Sequence, residues 1–314
     1  MSFRFIDLFA GIGGIRIPFD ALGGRCVFSS EIDKFARETY RANFGEEPHG
    51  DITQITPCEI PSFDLLLAGF PCQPFSQAGL QKGFDDTRGT LFFYIAKIIE
   101  HHRPSVVFLE NVKRLKTHDK GKTYKVMQEV LENLGYIVSS QILAAKDFGV
   151  PQNRERIYII ALKKGGHFKF PTPPFAKTKV GDILEDHVGD KYTISDRLWQ
   201  GHQRRKKEHQ NKGNGFGYSL FHPQSPYTNT ISARYYKDGS EILIDQTKIG
   251  RNPRKITPRE AARLQGFPDN FKITVSDVQA YKQFGNSVCV PVIKAIAAQL
   301  EPFLIEDIKY QKAS

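Results

Sequence analysis

Cys72 lies between two prolines in Leu67-Ala-Gly-Phe-Pro-Cys-Gln-Pro-Phe-Ser76, just past an apolar run. A lone cysteine is ordinarily a small core residue. Flanking prolines, with Gly69 and Gly79 nearby, instead make a loop that exposes and fixes its side chain. A thiolate so placed is a strong nucleophile once its pKa is lowered or a base assists. Val107-Phe-Leu-Glu-Asn-Val112 ends a second apolar run in an acid-amide pair, and Glu110 can donate a proton there if its pKa is raised. Taken singly, such an acid is more often a cap or a surface residue. In Val150-Pro-Gln-Asn-Arg-Glu-Arg-Ile157, Arg154 and Arg156 are spaced to face one side of a strand. A cation there can polarise a carbonyl or grip a phosphate.

A second group of residues suits a nucleoside. Asp7-Leu-Phe-Ala-Gly-Ile-Gly-Gly14 puts Gly11, Gly13 and Gly14 after a strand and before a helix, where small residues let backbone approach a ligand. The spacing is not the G-x-G-x-x-G of a dinucleotide site, which disfavours a phosphate cradle. The next strand ends in Ser30-Glu31-Ile-Asp33, and a third acid follows in Gly50-Asp51. A strand-end carboxylate can accept both ribose hydroxyls. With nothing built for a pyrophosphate, S-adenosylmethionine fits better than NAD.

These side chains need a frame that brings strand ends to one rim. The apolar runs Arg4–Phe9, Arg25–Ser30, Phe63–Ala68, Ser105–Leu109 and Arg156–Ala161 read as strands. Lys34–Asn43 has helical composition, and Lys122–Leu134 carries a helical stripe through Val126, Met127, Val130, Leu131 and Leu134. Alternating strands and helices predict a parallel, doubly wound α/β sheet, in which parallel strands end on one edge and Glu110 and Cys72 converge. After Lys163 glycine, proline and basic residues become dense and helical periodicity fades, returning at Pro258–Leu264 and Pro291–Leu300. The expected division is a catalytic and cofactor-binding domain over 1–175, completed by 272–314, and a smaller basic domain over 176–271.

Charge follows the same division. The chain holds 44 Lys and Arg against 34 Asp and Glu, and residues 163–263 hold 20 against 10. The whole excess of +10 therefore lies in one third of the chain, which suits a polyanion. The composition, with 40% hydrophobic residues and 24 Phe, excludes a mainly disordered chain. No apolar run reaches the ~18–20 residues that span a bilayer, and the first residues do not read as a signal peptide. Cys26, Cys58, Cys72 and Cys289 include no CxxC pair, so a metal site is not expected and free thiols in a reducing cytoplasm are.

Six ordered blocks resemble those of the bacterial DNA (cytosine-5)-methyltransferases. They are Phe9-Ala-Gly-Ile-Gly13, Gly69-Phe-Pro-Cys-Gln73, Glu110-Asn-Val112, Gln152-Asn-Arg-Glu-Arg156, Arg259-Glu-Ala-Ala-Arg-Leu-Gln-Gly266 and Gln283-Phe-Gly-Asn-Ser287. Each is weak alone; the set, in the family's order, covers essentially the whole chain. The resemblance implies that Cys72 adds to carbon 6 of cytosine and Glu110 holds and protonates ring nitrogen 3. Arg154 would bond the 2-oxo group and Arg156 would support it. Phe9 would pack against the adenine of the cofactor, S-adenosylmethionine, and the Gly11–Gly14 turn would pass its methionine moiety. Glu31 would take its ribose, Asp51 its adenine amino group, and Asn286 would return near it.

The resemblance also implies a flipped cytosine in double-stranded DNA, a closing loop over Cys72–Phe92 with Lys82 and Arg88 on phosphates, and a basic target-recognition domain. In that domain Arg204, Arg205, Thr230, Arg234, Tyr235 and Lys237 are candidate DNA contacts. The stretches Lys212–Tyr218, Thr230–Gly239 and Glu241–Asp245 look like the recognition region of the Dcm group, which modifies CC(N)GG-type sites. The expected protein is a cytoplasmic monomer, without a membrane segment or regulatory extension, beside a cognate restriction endonuclease. An RNA-directed homologue and a catalytically idle DNA-binding regulator are the alternatives. The basic module argues against the first, and intact Cys72, Glu110 and Arg154 against the second.

Overall fold

The first apolar run becomes strand β1, Arg4–Leu8, because Phe5, Ile6 and Leu8 find burial on both of its faces. Complete burial of such side chains contributes ~1.5–3 kcal/mol each. The computed structural model describes residues 3–71 and 91–311, with side chains through 305. Cys72, Lys82 and Arg88 lie outside the described residues. Further along the chain are α1 (Arg16–Ala21), β2 (Arg25–Ser30), α2 (Lys34–Phe44), β3 (Leu65–Gly69), α3 (Leu91–His102), β4 (Val106–Val112), α4 (Lys122–Asn133), β5 (Ile137–Ala144) and β6 (Glu155–Leu162).

These strands form one six-stranded sheet in the order β2-β1-β3-β4-β6-β5. On one face Ile6, Leu66, Val107, Leu109 and Ile159 join a core with Phe92 and Ile95 of α3 and Met127 and Leu131 of α4. On the other, Phe19 of α1 packs against Phe5 at 6.3 Å and Phe108 at 6.0 Å between ring centroids. Helices on both faces make the sheet doubly wound, as α/β patterning requires. The expected parallel order holds from β2 to β4, but β6 runs antiparallel to β4. Residues 145–154 return the chain to β6 without a crossover helix, and a parallel neighbour would need one.

Packing divides the chain into two units: 1–143 with 155–172 and 292–314, and 144–154 with 173–291. The division falls elsewhere than the composition shift, because 144–154 and 272–291 pack with the basic segment. The second unit contains α5 (Asp196–Asn211), β7 (Leu220–Phe221), β8 (Leu243–Ile244), β9 (Arg254–Lys255), α6 (Pro258–Leu264) and α7 (Asp277–Asn286). Its three short strands form a sheet in the order β7-β8-β9. Helix α5 corrects the expectation that helical order fades here; Ser195 caps it by accepting the Leu198 N–H. Arg254 donates to both carboxylate oxygens of Glu260 at 2.7 Å, and Glu260 also accepts the Thr257 and Glu185 N–H groups. This buried charge is fully paired, which its burial demands.

The last helix, α8, spans Val290–Gln311. Within Asp277–Ile305 an 18-residue window has a mean hydropathy of 1.7, although Lys294 and Glu301 interrupt the apolar run. Ile293, Ile296, Leu300 and Leu304 are buried within the protein, which accounts for that hydropathy.

Candidate active site

At the carboxyl rim of the sheet, the turn after β1 is held by a carboxylate. The Gly11 N–H donates to Glu31 Oε2 and the Asp33 N–H to Glu31 Oε1, both at 2.8 Å. Burial raises the Glu31 pKa, and those backbone donors oppose it. Asp33 in turn caps α2 by accepting the Phe35 and Ala36 N–H groups. Phe9 has a φ of 55° and Gly11 one of 55°, so the chain reverses sharply as it leaves the strand. A side chain at Gly11 would meet nothing within 4 Å, so its turn borders open space. At Gly13 a Cβ would lie 2.2 Å from the Phe44 ring, so glycine is required there for packing. Gly14 is buried at the end of the turn, and Asp51 accepts the Thr53 N–H at 2.9 Å beside the next loop.

Sequence reasoning passed over Ile32, which is 70% exposed between Glu31 and Asp33. An exposed aliphatic side chain beside a carboxylate offers apolar surface for a planar base. Its signal was visible: an isoleucine between two acids at a strand end. A fixed carboxylate, an open glycine turn and exposed apolar surface together suit a nucleoside with a free ribose, and S-adenosylmethionine fits them. Among the described residues no cluster of three or more His, Cys, Asp or Glu side chains could hold a metal ion.

Behind the turn lies a buried polar cluster that the sequence reading did not single out. Asp7 of β1 is fully buried, and burial pushes its carboxyl up to about 7, with Arg16 opposing. Tyr40 Oη donates to Asp7 Oδ2 at 3.4 Å, and Arg16 donates to Tyr40, Asp20 and Glu46. Burial works against the Arg16 charge, but the Glu46 and Tyr40 contacts prevail and hold it cationic. The Cys26 thiol, pushed up to about 12 mainly by burial, is not a nucleophile.

Glu110 stands two strands along the same rim. Strand β4 pairs with β3 so that Gly69 lies directly beside Glu110. A Cβ on Gly69 would sit 3.6 Å from Glu110 Oε2 and 3.1 Å from Ile15, so glycine keeps this flank clear. Across β6, Arg156 is paired with Val112 in register, and its Nε lies 3.3 Å from Glu110 Oε1. Their side chains are 16% and 10% exposed, so the pair is largely sheltered from solvent. Asn111 is buried, and its Nδ2 donates to the Phe70 carbonyl at 2.8 Å, two residues before Cys72. The amide half of the acid-amide pair thereby tethers the end of β3 to the end of β4.

Arg154 does not share a face with Arg156. It precedes β6, belongs to the second unit, and is 3% exposed there. Its guanidinium donates to the carbonyls of Ile231 at 3.3 Å and Gly285 at 3.2 Å, and to that of Ser287. Three of its N–H donors are thereby engaged by backbone carbonyls of the second unit, where the sequence reading had it bond a base. Gly285 is needed at that junction, since a Cβ would lie 2.3 Å from the Ser232 carbonyl carbon. Asn286 follows, exposed, at the end of α7 in the second unit.

The basic candidates separate by their partners. Arg204 lies 3.7 Å from Glu208 and is 77% exposed, so it is open to a phosphate. Arg205 instead donates to Asp238 at 3.1 Å and bonds His202 at 2.9 Å. Arg234 and Lys237 are exposed, while Thr230 donates to the Asn153 carbonyl at 2.6 Å. Tyr235 is not a reading residue. It is fully buried, donates to the Ile242 carbonyl at 2.6 Å, accepts the Ile256 N–H at 2.9 Å and packs edge-on against Tyr281. Its ring builds the core of the second unit.

Comparison with known proteins places the chain in a family. Residues 3–302 match the C-5 cytosine-specific DNA methylases. The chain is 62% identical over 305 residues to the type II methyltransferase M1.ScrFI of Lactococcus lactis subsp. cremoris, covering 95% of this chain and 78% of that protein. It is 63% identical to M.NlaX of Neisseria lactamica, covering 96% and 97%, and 43% identical to the DNA-cytosine methyltransferase of Escherichia coli, covering 96% and 78%. The S. pombe Dnmt2 methyltransferase structure superposes with a TM-score of 0.77 over 96% of this chain and 99% of its own; at 22% identity this is a likeness of fold. A glycine turn suited to S-adenosylmethionine, a sheltered rim glutamate and the match over almost the whole chain lead to one conclusion: the protein belongs to the C-5 cytosine-specific DNA methylase family.

Proposed function

We propose that the protein methylates carbon 5 of one cytosine within a specific duplex sequence, and that it flips this base out of the stack to do so. The observation that carries the proposal is Glu110, held at the sheet rim by Arg156 with Gly69 clearing its flank. Carbon 5 of cytosine is a poor nucleophile. Addition of the Cys72 thiolate to carbon 6 pushes an electron pair to carbon 5, while Glu110 places a proton on ring nitrogen 3 and prevents charge from building on the ring. Arg156, rather than Arg154, is the cation beside Glu110, so we assign it the cytosine 2-oxo group. S-adenosylmethionine supplies an electrophilic methyl on its sulfonium. Loss of the carbon-5 proton then returns the electron pair and expels Cys72, leaving 5-methylcytosine.

Glu31 takes the ribose hydroxyls on the lone pairs its backbone donors leave free, with Ile32 and Phe9 flanking the adenine. Asp51 takes the adenine amino group. The second unit reads the target through Arg204, Arg234 and Lys237, with Lys82 and Arg88 on phosphates near the flipped base. A CC(N)GG-type site follows from the likeness of Lys212–Tyr218 and Thr230–Gly239 to the Dcm recognition region. We take the enzyme to be a cytoplasmic monomer serving a restriction-modification pair, with an endonuclease that shares its site without a stable complex; the type II names of its relatives support that setting.

Bisulfite sequencing of DNA from cells expressing the protein tests the reading in one step. Protected cytosines at one short motif are expected, and their absence would overturn it. The Cys72→Ser variant should lose methyl transfer by at least three orders of magnitude while retaining DNA affinity within a few-fold; full activity would remove Cys72 from the mechanism.

A further inference from the structure

Outside residues 163–263 the positive and negative charges balance, and that balance hides a local concentration of charge. Between Val112 and Gln128 the sequence holds six cations, Lys113, Arg114, Lys116, Lys120, Lys122 and Lys125, and one acid, Asp119. The segment starts where β4 ends, with Lys113 three residues beyond Glu110. Lys113 is spent on an ion pair with Glu155, and Lys125 lies 3.6 Å from Glu129. Lys116 has its ammonium 5.7 Å from the Tyr124 ring. Arg114, Lys120 and Lys122 are exposed, and among the described residues none of them makes an ion pair.

The segment is firmly anchored. Leu115 is 1% exposed in the main core, and the Thr117 N–H donates to the Arg114 carbonyl at 3.1 Å. His118 Nδ1 bonds Thr123 Oγ1 at 2.7 Å, and Tyr124 Oη donates to Ser140 at 2.7 Å. Asp119 and Lys120 both hold positive φ, 48° and 55°, a left-handed backbone that non-glycine residues seldom adopt. Unpaired cations crowded on a fixed turn repel one another and do nothing for folding. They suit an anion with regularly spaced charges.

We infer that Arg114, Lys120 and Lys122 form a phosphate-binding surface on the catalytic unit, which grips the DNA backbone beside the target cytosine. The inference rests on the proposed reading of the enzyme as acting on duplex DNA. Its role is to hold the strand at the rim where Glu110 waits, independently of the sequence-reading unit. Because it touches backbone and not base edges, it adds affinity without changing which site is methylated.

The test compares two charge-matched double variants of the full-length protein. Arg114→Gln/Lys120→Gln removes two positive charges from the surface. Lys97→Gln/Lys294→Gln removes two exposed charges from α3 and α8. DNA affinity is measured from 50 to 200 mM salt. For the first pair the slope of log K against log salt should become shallower by about 1.8, at about 0.9 per phosphate lost. The control pair should keep the wild-type slope, and bisulfite sequencing should show the same motif for all three proteins. An unchanged slope in the first pair, or an equal change in both, overturns the inference. Should the double variant melt early, Arg114→Gln alone decides it, with an expected change of about 0.9. Wild-type protein that methylates no DNA would sink the broader reading instead, and the same assay separates the two failures.

Discussion

Replacing each of the two arginines of Gln152-Asn-Arg-Glu-Arg156 in turn should give opposite phenotypes. Arg154→Ala removes a guanidinium that donates to the carbonyls of Ile231, Gly285 and Ser287 inside the second unit. Hydrogen bonds from a charged group are worth about 1.5–3 kcal/mol each, but water entering the vacated space recovers part of that. A net loss of about 3–5 kcal/mol follows, the range found on breaking buried charged networks. At roughly 2–4 °C per kcal/mol for a domain of this size, the melting temperature falls by about 10 °C. Arg156→Ala removes a partly sheltered cation 3.3 Å from Glu110, with 16% of its own side chain exposed. Its stability cost should be smaller than that of Arg154→Ala, about 1–3 kcal/mol, since its side chain is less buried and its charge pairs with one carboxylate. Its cost to methyl transfer should be at least 100-fold in kcat, because the group stabilises charge that develops in the reaction. Thermal melts and single-turnover transfer of labelled methyl to duplex DNA, at temperatures where both variants are folded, provide the comparison. If Arg154→Ala melts like the wild type and abolishes transfer, while Arg156→Ala transfers normally, the assignment of roles is wrong.

Glu31→Ala should raise the Kd for S-adenosylmethionine at least tenfold with DNA affinity within twofold, measured by isothermal titration of each ligand; an equal loss of both would contradict the ribose assignment. Asp7 makes stability depend on pH. Its folded value of about 7 exceeds the ordinary 3.8, so the folded state keeps a proton that the unfolded state has lost. Stability is therefore greatest below pH 4 as far as this group is concerned, and falls as pH rises towards 7, by ~4 kcal/mol at 1.36 kcal/mol per pKa unit. Asp7→Asn should flatten urea-unfolding stability between pH 5 and 7, and an unaltered slope would exclude Asp7 as its source. Gly285→Ala forces a Cβ to within 2.3 Å of the Ser232 carbonyl carbon, so it should cost ~1–3 kcal/mol or more in a chemical-denaturation curve.

Several elements were legible before any coordinates because their patterns are local. The run Arg25–Ser30 is β2 as expected, and Pro258–Leu264 is α6, whose Thr257 and Glu260 form a capping box. Glycines after β1 announced a turn because few residues other than glycine adopt positive φ freely. Other features depended on partners distant in sequence. The balanced charge outside residues 163–263 concealed the cations after β4, since a sum over residues says nothing about where side chains gather. Tyr235 read as a DNA contact, and its burial and its bonds to Ile242 and Ile256 show it to be core.

The sequence by itself determined the chemistry this protein can do. A cysteine between prolines, a glutamate at a strand end, a glycine turn and an acid on the next strand are each set by residue type and short spacing. Tertiary structure decided which of two arginines stands beside Glu110. Arg154 and Arg156 are two residues apart and indistinguishable by type. Strand β6 begins between them, so one guanidinium reaches Glu110 across the β4 ladder and the other turns into the carbonyls of a different packing unit. That outcome depends on where a strand starts and on what folds against each side of it, and no local spacing encodes either.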